Sequence, residues 1–294
     1  MRDLFTRYGG PLAAGFMALT AFWLLALVIL PYLYLFENSF RPYLPVVEMG
    51  GPKDFYSLSN YLTFFQSPIH IHVFFATILY SSLVTVLCFF IAYPLAYYLS
   101  KVAKPSVVPT LFLLLLIPLW VSEILRSFAW FIILAFKGPL NFGLLGLGII
   151  DTPIRWLSGF RSIVIGLVYT YVLFMLFPLY NAVQSLDTNQ IEAAQDLGSP
   201  WWRIHWRVIL PHSKPGIASG AVMVFMLSAG SILVPTLLAS TTSRWFTEII
   251  QQWMFESQDW NTGSAYAFLL LLLCTVFVTV VMRIFRVSLS DIAK

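Results

Sequence analysis

Uncharged apolar runs occupy 12–36, 73–100, 105–122, 162–186, 215–243 and 260–282, the third extending through 127–136 after a charged interruption. A helix needs about 20 apolar residues to cross the hydrocarbon core of a bilayer, because each residue rises about 1.5 Å. Closed barrels also satisfy every backbone amide in lipid, but they show short period-2 alternation rather than long runs. The pattern therefore predicts six membrane-crossing helices. The first run is longer than a signal-peptide core and no small-residue cleavage site follows it, so it is expected to remain as a membrane helix. The intervening stretches 37–72 and 137–161 are rich in Pro, Gly, Asn and Ser and too short to fold as domains. The expected organisation is a cytoplasmic N-terminal segment, first helix and outer loop over 1–72, a five-helix core over 73–285 with a polar insert at 187–216, and a tail at 286–294.

Composition agrees with this pattern. Hydrophobic residues make up 59% of the 294-residue chain and charged residues 10%, against about 25% charged in a soluble domain. Mean hydropathy is +0.82. Too few charges remain to coat a water-facing surface, so the chain is read as an all-α integral membrane protein in contact with membrane lipid. The net charge of +4 does not point to nucleic acid, because the basic residues sit in short loops, where they set orientation. With the N-terminus inside, the inner segments hold Arg2, Arg7, Lys101, Lys104, Arg203, Arg207, Lys214, Arg283, Arg286 and Lys294. The outer loops then hold only Arg41, Lys53, Lys137, Arg155, Arg161 and Arg244. This asymmetry predicts that both termini and the 187–216 insert are cytoplasmic. Cys88 and Cys274 fall inside apolar runs without metal-ligand spacing, and are expected to be packing residues.

The insert reads IEAAQDLGSPWWRIHWRVILP over 191–211. Asp187 is a candidate N-cap with Gln190 as its reciprocal partner. The helix that follows should run to about Leu197 and stop at Gly198. Ser199 as N-cap and Pro200 at the first helical position should start a second helix, which Pro211 ends. Glu192, Ala193 and Ala194 make a thin surface that another protein can approach closely, while Trp201, Trp202 and Trp206 can anchor at the membrane interface. These residues alone leave two readings open, docking of a partner protein and an amphipathic hairpin lying on lipid.

Glu192-Ala193-Ala194, Gly198 and Leu210-Pro211 together resemble the EAA loop of ABC-importer permeases. That pattern reads E-A-A, three residues, G, nine residues, I, one residue, L-P, with Val208 here in place of the isoleucine. The resemblance implies the type I ABC-importer permease fold, with six transmembrane helices and a cytoplasmic coupling helix that enters a cleft on a separate ATPase. ATPase coupling would then fall to Glu192, Ala193, Ala194, Gly198, Leu210 and Pro211. The implied partners are two copies of a cytoplasmic ABC ATPase, a second, similar but distinct permease subunit, and an external substrate-binding protein at the bacterial inner membrane. The chain has no GxxxxGK[ST] phosphate loop, so ATP and Mg are expected on the partner ATPase and no cofactor on this chain.

Ser57-Leu58-Ser59-Asn60-Tyr61, Ile117-Pro118-Leu119-Trp120, Arg126, Ala129-Trp130, Gly138-Pro139-Leu140-Asn141, Leu147 to Ile154, Asp259-Trp260 and Gly263-Ser264-Ala265 resemble spermidine/putrescine permeases. The likeness runs from about 57 to 285 and implies a polyamine as cargo. Where polyamine members often carry acids, however, this chain has Ser231 and Thr236. Relatives of the same broad group carry ferric iron, thiamine, opines or aminophosphonates, and these are the alternatives.

Helical spacing puts Trp120, Glu123, Ser127 and Trp130 on one face, with Arg126 about 60° away. Ionisable groups inside a membrane usually face a protein interior or a water-filled path. One reading is that this face, with Ser231, lines the substrate pathway; the other is that Glu123 only neutralises Arg126 as an i, i+3 pair. Gly230 and Pro235 mark a bend in the fifth run, either a static kink or a moving gate. His70, His72, His205 and His212 are scattered, and no HExxH or Ser/His/Asp arrangement appears. An enzyme is therefore not expected, nor a metal site. An ion-coupled secondary transporter would need membrane-embedded ion ligands, for which Glu123 is the one candidate.

Overall fold

The computed structural model describes residues 10–44, 48, 51–52, 54–240 and 243–287. Arg2, Arg7, Lys53 and Lys294, the segment before Gly10 and the tail from 288 onward lie outside the described residues. The helices in chain order are α1 Gly10–Leu24, α2 Leu30–Ser39, α3 Ser59–Gln66, α4 Pro68–Tyr97, α5 Val108–Trp120, α6 Glu123–Leu134, α7 Pro139–Gly146 and α8 Arg161–Gln184. After them come α9 Thr188–Asp196, α10 Trp201–Ile204, α11 Leu210–His212, α12 Lys214–Ala229, α13 Leu233–Leu238, α14 Phe246–Gln251 and α15 Trp260–Phe285. Wider π turns cover Leu25–Ile29, Tyr98–Val102, His205–Ile209 and Gln252–Glu256.

Among the described residues five stretches are long and apolar enough to cross a membrane: Ala14–Ser39, Pro68–Val102, Glu123–Gly146, Arg161–Gln184 and Trp260–Phe285. Two of the six predicted runs are interrupted. The third divides at Val121–Ser122, both with extended backbone, into α5 and α6. Pro118 withholds an amide from the last turn of α5, and Ser122 followed by Glu123 suits a new helix start. The fifth run stops at Ala229, giving the 16-residue α12 and the six-residue α13.

The chain divides into two compact units, one of 1–68 with 250–269 and the other of 69–249 with 270–294. In the first, the apolar side chains of α1 are nearly all exposed, as expected of a helix whose solvent is lipid. The end of α2 is held by Asn60, whose Nδ2 donates to Ser39 O (3.0 Å) and Arg41 O (2.8 Å), and by Tyr61 Oη, which donates to Ser39 Oγ (2.9 Å). Asp259 caps α15 by accepting from Thr262 N (2.9 Å) and Thr262 Oγ1 (2.7 Å).

In the second unit α8 is the central helix, buried along most of its length. Lipid is as apolar as leucine, so packing in a bilayer rests on close approach of small residues rather than on a hydrophobic drive. Gly216 and Gly220 on α12 supply that approach. A Cβ at Gly216 would stand 2.5 Å from Pro178 O, and one at Gly220 2.6 Å from Met175 Sδ. Gly166 on α8 does the same for α13, where a Cβ would meet Leu238 Cδ1 at 2.4 Å.

At the interruption after α12, side chains meet the backbone carbonyls of Ser228, Ser231 and Leu238. Pro235 has no amide to offer Ser231 O, and Thr247 Oγ1 donates to that carbonyl instead (2.6 Å). Trp245, fully buried, donates Nε1 to Ser228 O (3.1 Å). At the far end of α13, Ser162 Oγ donates to Leu238 O (2.7 Å). Each orphaned carbonyl in hydrocarbon would cost several kcal/mol. Thr247 and Ser162 meet those of Ser231 and Leu238, while Ser228 O, which also accepts from Ser231 N (3.3 Å), gains a second bond from Trp245. The 137–161 stretch is organised by Asn141, 1% exposed. Its Nδ2 donates to Phe136 O and Ile154 O, and its Oδ1 accepts from Ile154 N and Trp156 Nε1.

Candidate functional site

The insert begins where α8 ends. Lys101, from the π turn after α4, donates Nζ to Leu186 O and to Gln184 O (3.4 Å), placing a cation on the carbonyl end of α8. Asp187 caps α9 as expected, accepting from Asn189 N (3.0 Å). The reciprocal half of the box does not form, since the Gln190 side chain makes no bond back to Asp187. Instead Asn189 Nδ2 turns to Asp187 Oδ2 (3.3 Å), so the carboxylate is occupied from its own first turn.

The other end of α9 closes on Gly198 at φ +71°. Ser199 N donates to Ala194 O (3.1 Å) and Gly198 N to Gln195 O (2.8 Å), the paired bonds of a Schellman close. The second helix starts one residue later than expected, with Pro200 rather than Ser199 in the cap position and no side-chain cap. Pro211 does not end it. The chain passes through the π turn His205–Ile209 and continues as α11 to His212, because the wider turn moves the Arg207 carbonyl away from the proline ring.

Ile191, Ile204 and Ile209 are buried and root both helices in the core of the second unit. His205 is enclosed by three rings: Tyr93 Oη lies 2.7 Å from its Nδ1, and Tyr97 and Trp201 stand edge-on to it. Burial lowers the His205 pKa from its ordinary value. Opposite these anchors, Glu192, Ala193 and Gly198 are exposed, Ala194 is half-buried, and Leu197 projects at 85% exposure. Leu210 and Pro211 do not share that tip. They line an apolar groove with Phe89 and Phe90 of α4.

A second constellation lies within the helices of the same unit. Glu123, Tyr171, Gly230 and Ser231 line one cavity of about 280 Å³. Tyr171 Oη donates to Glu123 Oε1 at 3.3 Å, and Ser231 is buried beside it. Among the described residues Glu123 and Arg126 form no ion pair, so the simple neutralisation reading is not what the geometry shows. Trp120 leaves the expected face, because the backbone break at 121–122 puts it on α5, 88% exposed, while Glu123 opens α6. The Ser127 hydroxyl is spent within its own helix on Glu123 O (2.9 Å). Trp130 packs edge-on against Tyr169 of α8. Arg126, Ser127 and Trp130 do not line the cavity. Sequence reasoning missed Tyr171, Trp245 and Thr247. For Tyr171 the available signal was the polar triplet Tyr169-Thr170-Tyr171 in the middle of an apolar run. Among the described residues no three His, Cys, Asp or Glu side chains converge as metal ligands.

Residues 89–291 match the family model described as "Binding-protein-dependent transport system inner membrane component". The chain is 32% identical over 265 residues to the spermidine/putrescine transport system permease protein PotB of Haemophilus influenzae, covering 89% of this chain and 90% of that one. It is also 32% identical over 264 residues to PotB of Escherichia coli K12, covering 90% and 94% respectively. Among solved structures, a bacterial alginate ABC transporter in complex with its alginate-bound periplasmic protein superposes with TM-score 0.76 at 19% identity, over 98% of this chain and 99% of that one. The MetNI methionine ABC transporter in an inward-facing form superposes with TM-score 0.53 at 16% identity, over 75% and 98%. These structural likenesses establish an ABC-importer permease fold.

Proposed function

The chain belongs to the binding-protein-dependent transport system inner membrane component family, and on that premise we propose that it is the permease subunit of an ATP-driven importer of polyamines of the spermidine/putrescine type. It is a multi-pass inner-membrane transport subunit and not an enzyme. The chemistry of ATP hydrolysis, with its Mg, belongs to a separate ATPase. In this reading two ATPase copies, a second similar permease and an external binding protein complete the importer. Both termini and the insert face the cytoplasm.

One observation carries the proposal: a helix–turn–helix rooted by three buried isoleucines presents an exposed Glu192–Gly198 tip closed by a left-handed glycine. A lever must be stiff at its root and accessible at its end, and α9 to α11 has both properties. Nucleotide-driven closure of the ATPases would move that tip, and the Lys101 and His205 contacts would pass the motion to α4 and α8.

The cavity at Glu123 is the proposed polyamine contact. A single carboxylate, with its position set by Tyr171, attracts one ammonium group of a polycation, and the remaining charges would be met by the second permease. Purified complex reconstituted in proteoliposomes with its binding protein tests the proposal. ATP-dependent uptake of labelled spermidine or putrescine is expected. Uptake that persists without ATP on an ion gradient would overturn the importer reading. Uptake of an opine, aminophosphonate, thiamine or ferric iron in place of polyamine would overturn the cargo alone.

A further inference from the structure

A groove of about 660 Å³ opens on the second unit between α4, the α11–α12 segment and α15. Its floor is aromatic, from Phe89, Phe90, Phe277 and Phe285, and Lys214 is the one charged residue that lines it. We propose that this groove binds an anionic phospholipid, with an acyl chain along the phenylalanines and the phosphodiester at Lys214.

Three features of the site select that ligand. The lining residues run from Ser82 to Phe90 on α4 and from Lys214 to Ala221 on α12. At 1.5 Å per residue, that is a slot about 10–12 Å deep. It is long enough for much of an acyl chain, and most of its lining is apolar. At the other end Lys214 sits in the first turn of α12, where the helix dipole adds to its positive charge. Among the described residues Lys214 has no ion pair. The Trp206 indole also borders the groove and is 69% exposed, the placement that tryptophan takes at headgroup level.

An apolar helix from another protein would fill the slot but make no use of the exposed Lys214 ammonium at its mouth. A polyamine would be repelled by it. A phosphodiester carrying a hydrocarbon tail satisfies both ends at once. Basic pockets between membrane helices recognise anionic headgroups by this chemistry, at about 1 kcal/mol per basic residue. Leu210 and Pro211 are part of the groove's lining, so a bound lipid would pack against the end of the insert.

The test uses the whole importer complex, freed of endogenous lipid in detergent and titrated with phosphatidylglycerol or phosphatidylcholine of identical chains. Bound lipid is counted by native mass spectrometry. The wild-type complex is expected to retain phosphatidylglycerol about fivefold better, the factor that corresponds to one basic contact. Lys214→Gln should bring the two lipids to parity, Lys214→Arg should restore the preference, and Phe90→Ser should lower retention of both. Equal retention of the two lipids by the wild type would overturn the proposal, as would a preference indifferent to Lys214→Gln. A Phe90→Cys variant that cross-links efficiently to the other permease would also sink it, by placing a protein helix in the groove.

Discussion

The Tyr93 hydroxyl and Nδ1 of His205 share a hydrogen bond of 2.7 Å across a sequence separation of 112 residues. It ties the second helix of the insert to the C-terminal part of α4. Because burial lowers the His205 pKa, the packed state holds the neutral ring, while an undocked ring takes up a proton near its ordinary value of about 6.5. The docking contribution is therefore fully present above that ordinary value and is lost as pH falls below it. Amide hydrogen exchange across 201–212 in the assembled complex should rise between pH 7.5 and pH 5.5. His205→Phe keeps the ring packing and should abolish that difference. An unchanged pH response in the variant would show that another group is responsible.

Glu123→Gln removes the cavity's carboxylate, and Tyr171→Phe removes only the hydroxyl that positions it. Polyamine uptake should fall about tenfold in the first, equivalent to about 1.4 kcal/mol of barrier, and by a smaller factor in the second. ATPase assembly should stay intact in both. Unchanged uptake by an intact Glu123→Gln complex removes Glu123 from the pathway.

Thr247 and Pro235 form a compensating pair through Ser231 O. Thr247→Val orphans that carbonyl and should lower the stability of the solubilised protein by about 0.6–1.7 kcal/mol, the range of interhelical side-chain bonds in membranes. Pro235→Ala returns an amide four residues beyond the same carbonyl. The double variant should therefore be more stable than the two single effects added together. Strict additivity in denaturant unfolding would refute the pairing.

Gly216 and Gly220 should respond differently to the same added methyl group. At Gly216 the new Cβ meets a backbone oxygen, Pro178 O at 2.5 Å, which cannot turn away. At Gly220 the nearest atom is Met175 Sδ at 2.6 Å, on a flexible side chain. Gly216→Ala should cost about 1–3 kcal/mol, and Gly220→Ala less. Thermal midpoints of the two variants in one detergent decide the order.

Much of the molecule was legible from local chemistry. The apolar runs announced the long helices, because length and hydropathy are properties of a segment by itself. The closure of α9 at Gly198 was likewise readable, since only glycine enters the left-handed region without strain. The break between α5 and α6 was not legible in this way, because the apolar pattern over 105–136 reads as a single interrupted run. Extended backbone at Val121 and Ser122 separates α5 from α6, and Trp120 falls on the far side of that separation.

The sequence by itself determined which segments must leave water and where several of them stop, and its resemblance to the EAA loop marked 187–216 as a candidate handle. Tertiary structure decided which polar groups meet. Tyr171 reaches Glu123 from 48 residues away, and Trp245 reaches Ser228 O from 17. The physical reason is that every side chain carries its own bonding capacity, but inside a bilayer its partner is chosen by which helix faces approach closely. Those approaches depend on small residues such as Gly216 and Gly166, whose effect appears only when the opposing helix is in place.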